Sequence, residues 1–231
     1  LHKEYRRQRQ MCIRDRGLSV QVLDEASGVG GTWYWNRYPG ARCDVESMEY
    51  SYSFSDDLQQ EWNWSHRFST QPEILKYANH VADRFRLRDW IEFESRVESM
   101  LYSDQDNLVV SVTDSGGLYK SRYCVMATGT LSSVNAPQFE GISVFKGDSY
   151  ITGRWPHESV DFSGKKVAII GTGSSAVQAI PVIAAEAKKL TVFQRTANYS
   201  IPAQNRLLSS EEIEEVKADY PRIRKLSLIH I

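Results

Sequence analysis

No stretch of this chain approaches the roughly 18 consecutive apolar residues that a membrane-spanning helix needs, and its first residues carry no apolar segment of the kind a secretory leader has. Cysteine is scarce too. The three present, Cys12, Cys43 and Cys124, show neither C-x-x-C nor metal-ligand spacing, which argues against a disulfide framework or a metal cluster and for free thiols in a reducing compartment. Neither sign of charge is in excess: 28 Lys and Arg face 29 Asp and Glu, the net charge is −1 and the pI about 6.6, so no global attraction to nucleic acid or anionic membranes is expected. These absences lead to the expectation of a soluble, cytoplasmic protein with no nucleic-acid, membrane or metal partner, its oligomeric state left open. The 231 residues fit one to two domains with a sizeable core. Tryptophan, by contrast, is plentiful at six residues. Trp33, Trp35, Trp62 and Trp64 crowd one region and suggest an aromatic-lined site or a compact corner.

The most organised stretch is residues 165–196. Val167, Ala168, Ile169 and Ile170 form the continuous apolar run of a strand buried on both faces, and Gly171, Gly173 and Ala176 follow at G-x-G-x-x-G/A spacing. Gly171 suits the tight strand-to-helix turn, Gly173 lets backbone approach a pyrophosphate, and Ala176 keeps the next helix near the sheet. With Thr172, Ser174 and Ser175 they place backbone N–H groups at a helix start, where a diphosphate is favoured. A helix with Val177, Ile180, Ile183, Ala184 and Ala187 on one side follows, kinked at Pro181. A second buried strand, Leu190 to Phe193, completes the unit. An NAD-binding unit places a carboxylate after that strand; here stand Gln194, Arg195 and Thr196. Arg195 therefore points to the 2′-phosphate of NADP(H), the other reading being a solvated surface arginine.

Both ends look foreign to the rest. Residues 11–16, M-C-I-R-D-R, and 226–231, L-S-L-I-H-I, can be encoded by one short nucleotide string and its reverse complement. That is the mark of a library adaptor at both ends of an assembled fragment. Residues 1–16 and 226–231 are accordingly expected to be non-native; the competing reading for the first segment is a basic arm.

From Gly17, Val20, Val22 and Leu23 make a strand-like run closed by Asp24 and Glu25. Asp24 is either the acid that a dinucleotide fold offers to an adenosine ribose or an ordinary turn residue. Residues 1–16 contain no glycine, so if this strand belongs to a first nucleotide-binding unit, that unit is expected to have lost its phosphate-cradling turn. Then comes G-G-T-W-Y-W-N-R-Y-P-G-A-R-C-D, residues 30–44. Here the chain resembles the type I Baeyer–Villiger monooxygenases of the flavin-containing monooxygenase group, whose motif [A/G]-G-x-W-x-x-x-x-[F/Y]-P-[G/M]-x-x-x-D is met by Gly30, Gly31, Trp33, Tyr38, Pro39, Gly40 and Asp44. The resemblance implies that Thr32, Trp33, Tyr34 and Trp35 wrap an FAD, that Arg42, Cys43 and Asp44 lie where flavin and nicotinamide meet, and that Asp44 steers charge there.

Further along, Tyr50 corresponds to a flavin-contacting position and Val97 to one whose backbone reaches the FAD adenine. Between them Thr70 and Glu73 spell a capping box before a helix with Ile74, Leu75, Ala78, Val81, Ala82 and Phe85 on one face. His66 and His80 have no partner at catalytic spacing. Three strand-like runs, 91–101, 108–113 and 118–126, make a small antiparallel meander whose last turn is 114–117. They lead into Ala127, Thr128 and Gly129, resembling the A-T-G signature of two-dinucleotide flavoproteins. Phe145, Gly147, Trp155 and Pro156 resemble the family fingerprint F-x-G-x-x-x-H-x-x-x-W-P, except that Ile151 stands at the histidine position and cannot donate a hydrogen bond. Ser209, Ser210, Glu211 and Glu212 read as a helix start, with Pro221 a later breaker.

The fold expected is therefore α/β: an incomplete two-dinucleotide-binding, Rossmann-type flavoprotein with a small antiparallel meander. Its divisions are a partial FAD-binding domain over 17–141, lacking the first βα unit, and the start of an NADP-binding domain over 142–225. The resemblance implies an FAD- and NADPH-dependent monooxygenase that inserts one oxygen of O2 into a ketone to give an ester or lactone. The alternatives are a flavin monooxygenase oxidising nitrogen or sulfur substrates, a non-oxygenating reductase, or a non-catalytic NADP-binding fragment. The purified 231-residue chain is expected to be colourless and inactive toward ketones.

Overall fold

The structure, a computed structural model, describes residues 17–229, with side chains through residue 225. The adaptor reading of residues 1–16, the last two residues and the side chains of 226–231 lie outside the described residues. The chain opens with β1 (Val22–Leu23), α1 (Thr32–Trp35), α2 (Asp56–Glu61) and α3 (Gln71–Arg84). Then come β2 (Ile91–Glu92) and the meander β3 (Val97–Ser103), β4 (Leu108–Thr113) and β5 (Leu118–Ser121). After a long irregular crossing, β6 (Lys166–Ile170), α4 (Ser174–Glu186) and β7 (Lys189–Phe193) form a βαβ unit, and α5 (Ser210–Ile229) ends the described chain. β1 and β2 pair in parallel, as do β6 and β7, while β3, β4 and β5 form an antiparallel sheet in that order.

The run expected as one strand over 91–101 is divided between two sheets. Glu94 takes a positive φ of 54°, and the N–H groups of Glu94 and Ser95 go to Ala26 and Asp24 carbonyls at 3.0 and 2.9 Å. The chain thus leaves β1 before it starts the meander. β5 is shorter than expected because its partner runs out: Ser121 faces Val109, one residue from the start of β4. Tyr123, Val125 and Met126, beyond that point, are exposed.

Two apolar clusters hold these pieces. The larger joins Leu58, Trp64, Ile74, Tyr77, Val81 and Tyr220; of the face expected on α3, Ile74, Val81 and Ala82 are buried and Phe85 packs alongside, while Leu75 and Ala78 are only half-buried and Tyr77 is added. Trp62 and Trp33 pack against this cluster; Trp35 does not, so the tryptophan-rich region is mostly a compact corner. The smaller joins Tyr38, Ala41, Phe162, Ala179 and Ile183. In α4 the buried residues are therefore Ala179 and Ile183, while Val177 is exposed. β6 and β7 are not buried on both faces: Ile170 and Phe193 lie more than half exposed, because this sheet is two strands wide among the described residues.

Both helix-interior prolines are accommodated. α4 runs through Pro181, flanked by buried Ala179 and Ile183. α5 runs through Pro221, where buried Tyr220 and the multiply bonded Arg224 hold the chain on either side. Tertiary burial outweighs the lost backbone bond. The box expected at Thr70 is not made: the Thr70 side chain caps nothing, and Glu73 accepts instead from the N–H and hydroxyl of Ser65 at 2.7 and 2.9 Å. The equivalent pair at α5 does form, Ser209 and Glu212 exchanging bonds at 2.9 and 3.2 Å. Among the described residues no helix is long and apolar enough to cross a membrane.

Candidate functional site

At the C-terminal end of β6 the backbone turns through Gly171 at φ 105°, its N–H donating to the Phe193 carbonyl at 2.8 Å. That φ favours glycine, and a Cβ there would meet nothing within 4 Å. Gly173 is the N-cap of α4 and no side chain caps the helix, so Ser174, Ser175 and Ala176 begin a helix whose first N–H groups lack a side-chain acceptor. Thr172 between the glycines is fixed from the far strand: Gln194 Nε2 donates to its hydroxyl at 2.8 Å and Asn198 Nδ2 to its carbonyl at 2.7 Å. Arg195 and Thr196, just past β7, are exposed at the same sheet end. Among the described residues Arg195 forms no ion pair. Open space, uncapped N–H groups and a nearby guanidinium suit an anion such as a dinucleotide diphosphate. Asn198 was not legible as part of this turn, since its bond to Thr172 spans 26 residues.

Most of the loop at 30–44 is packed, with Asp44 exposed at its end. Gly30 and Gly31, at φ 133° and 55°, launch the single turn of α1, whose Thr32 carbonyl accepts from the backbone and side-chain nitrogens of Asn36. Trp33 donates its indole N–H to the Tyr50 hydroxyl at 3.0 Å. Tyr34 bonds Ser27 at 2.6 Å and stands 4.9 Å from the His157 ring. The Arg154 guanidinium, paired with Glu25 at 3.2 Å, lies 4.0 Å over Trp35. Cys43 is buried in the larger core cluster, its N–H donating to the Ser69 carbonyl at 3.0 Å.

The loop and the glycine turn meet at one side chain that sequence reasoning missed. Gln178, in the second turn of α4, accepts on Oε1 from the Tyr38 hydroxyl at 2.9 Å and the Arg42 N–H at 3.1 Å. Its Nε2 donates to the Arg42 carbonyl at 3.2 Å and to Asp44 Oδ1 at 2.9 Å. Both lone pairs and both hydrogens are used, and the Arg42 N–H and C=O together fix which end is oxygen. Gly40 makes the approach possible: its φ is 78°, and a Cβ would lie 2.3 Å from the Gln178 carbonyl oxygen. Burial pushes the Tyr38 phenol above its ordinary pKa, with the Asp44 charge acting the same way against the Ser175 hydroxyl.

Of the remaining expected residues, Asp24 closes β1 and accepts from the Ala26 N–H at 2.9 Å, an Asx turn. Its carbonyl accepts from Ser95, two residues before Val97, so these two positions share one corner. Val97 opens β3 opposite Thr113, beside a register irregularity. Ile151 precedes a short 3₁₀ turn at Thr152–Arg154, whereas His157 reaches the rings of Tyr34 and Trp35, 4.9 and 6.5 Å between centroids.

Comparison with known proteins places this geometry. The profile of the family described as pyridine nucleotide-disulphide oxidoreductase matches residues 42–220. A Baeyer–Villiger monooxygenase of Pseudooceanicola batsensis is 48% identical over 209 residues, covering 90% of this chain and 38% of that protein. A phenazine N-monooxygenase of Lysobacter antibioticus is 42% identical over 207 residues, covering 90% of this chain and 38% of that protein. An oxidised steroid monooxygenase bound to NADP superposes with a TM-score of 0.91 at 54% identity, covering 97% of this chain and 42% of that structure. The chain thus spans about two fifths of the length of these relatives. Its fold is that of the two-dinucleotide-binding, Rossmann-type flavin monooxygenases, and the chain belongs to the pyridine nucleotide-disulphide oxidoreductase family, among the relatives of the Baeyer–Villiger monooxygenases.

Proposed function

We propose that this chain carries the NADP(H) turn and part of the FAD site of a monooxygenase that uses FAD, NADPH and O2 to insert one oxygen atom into a ketone, giving an ester or lactone. One observation carries the proposal: the open turn at Gly171 to Ala176 is tied through Gln178 to Asp44 of the aromatic loop. Two nucleotide-facing elements from opposite halves of the chain therefore share one support. In this reading residues 17–141 belong to the FAD side and 142–225 to the NADP side.

The chain's own groups bind and orient. Backbone N–H groups of Gly173 to Ala176 hold the diphosphate, and Arg195 with Thr196 takes the 2′-phosphate that distinguishes NADPH from NADH. Thr32 to Trp35, Arg42 to Asp44, Tyr50, Asp24 and the Val97 backbone border the flavin, whose own chemistry accepts hydride and activates dioxygen. Asp44, held by Gln178, sets the negative charge where nicotinamide and flavin meet. No side chain of this chain is assigned as nucleophile or general base. A cytoplasmic setting, which keeps Cys43 and Cys124 reduced, fits the same reading.

A second reading has specific support. Oxygenation of nitrogen or sulfur substrates draws on Ile151 at the fingerprint histidine and on the 42% identity to a phenazine N-monooxygenase, and is less supported than the ketone reading, since a Baeyer–Villiger monooxygenase is 48% identical. Titration of the chain with NADPH and NADH tests the nucleotide assignment: NADPH is expected to bind at least tenfold more tightly, and equal affinities would refute it. In a polypeptide of the relatives' length containing residues 17–225, NADPH oxidation stimulated by cyclic ketones supports the first reading, and stimulation only by amines or sulfides the second.

A further inference from the structure

We infer that Gln178 is a positioning residue that fixes the Asp44 carboxylate relative to the nucleotide turn, so that NADP(H) affinity depends on the aromatic loop being seated on α4. The inference rests on the nucleotide reading above and deepens it. Ser174 to Gln178 is one helical turn, so the side chain that grips the loop sits directly behind the first N–H groups of α4. Gln178 treats Arg42 as one strand treats another, accepting from its N–H and donating to its carbonyl, and uses its remaining hydrogen on Asp44. A carboxylate at the end of a flexible side chain has several rotamers. A bond from a carboxamide that is itself held at three other points selects among them. The loop cannot shift without breaking this set, because Gly40 lies in backbone contact with the same residue.

A double-mutant cycle distinguishes this from simple packing. Gln178→Glu keeps shape and both acceptor contacts but turns the nitrogen that donates to the Arg42 carbonyl and to Asp44 into a second carboxylate oxygen, the loss at Arg42 being common to both backgrounds of the cycle. Asp44→Asn restores a donor opposite it. With NADPH as titrant at pH 8, Gln178→Glu is expected to weaken binding about tenfold in the wild-type background and at most about twofold in the Asp44→Asn background. Melting temperatures measured on the same four proteins separate stability from positioning. Equal penalties in both backgrounds, or a coupling seen in melting temperature but absent from NADPH affinity, overturn the inference while leaving the nucleotide reading intact. A wild-type chain without NADPH affinity sinks that reading and this inference together. Should Gln178→Glu alone fail to fold, the double variant decides against Asp44→Asn: affinity within about fivefold supports the inference, and a larger loss overturns it.

Discussion

The two glycine-bearing segments of this chain solve opposite problems. The 30–44 loop is filled: Trp33, Tyr34, Trp35 and Tyr38 each have a side-chain or ring partner, and Gly40 is a glycine because another backbone occupies the space its Cβ would take. The turn at 171–176 is open: a Cβ on Gly171 would meet nothing within 4 Å, and its helix start has no side-chain cap. Gly30 and Gly40 in the loop therefore admit protein, whereas Gly171 in the turn leaves room that no protein atom takes. A G-x-G spacing alone does not separate these cases; the neighbourhood of the missing Cβ at Gly40 and at Gly171, taken with the uncapped helix start, does.

Alanine at each glycine exposes the contrast most strongly. Gly40→Ala would drive a Cβ to 2.3 Å from a backbone oxygen at a positive φ, and a loss of about 3 kcal/mol is expected in denaturant unfolding. Gly171→Ala meets no atom, so only the strain of its φ remains, about 1–2 kcal/mol. Its larger effect should be on NADPH affinity, falling more than tenfold in the same titration. Equal destabilisation by the two substitutions, with NADPH affinity untouched by the second, would erase the distinction.

What the sequence made legible follows from how local each feature is. The βαβ unit was readable because one strand, turn, helix and strand lie within 32 consecutive residues and each leaves its own periodic mark. The 91–101 run was misread because its division depends on Asp24 and Ala26, about seventy positions earlier, taking its backbone N–H groups. The two S/T-x-x-E sequences look alike, yet only the one at Ser209 forms its reciprocal bonds; Ser65 captures the carboxylate of the other. Gln178 left no signal of its own. A lone glutamine in an apolar helix usually points to solvent, and every partner of this one lies well over a hundred residues away.

The next test concerns selectivity at the open segment. Arg195 is exposed and pairs with no acid among the described residues, so its removal should cost at most about 0.5 kcal/mol of stability. Arg195→Ala is nevertheless expected to weaken NADPH binding about tenfold to a hundredfold by removing a charge-assisted contact to the 2′-phosphate. NADH binding should not change. Parallel losses for both nucleotides would assign Arg195 to general attraction, and no loss for either would return it to a solvated surface role.

The smallest effect is expected where the two segments touch. Tyr38→Phe removes one hydroxyl that donates to Gln178 Oε1, and since Arg42 still donates to that oxygen, a cost of about 1 kcal/mol at neutral pH is expected. The sharper reading is in pH. Burial, aided by the Asp44 charge, raises the folded pKa of this phenol above its unfolded value near 10. The folded state thus favours the protonated phenol. Its contribution is complete below the unfolded pKa and is lost as pH rises through the higher folded value, where the phenolate can no longer donate to Gln178 and repels Asp44. Melting curves from pH 8 to about pH 11.5 should therefore fall more steeply for the wild type than for Tyr38→Phe. Identical alkaline slopes would mean that Tyr38 ionises as freely in the fold as outside it, which a loop seated on α4 does not permit.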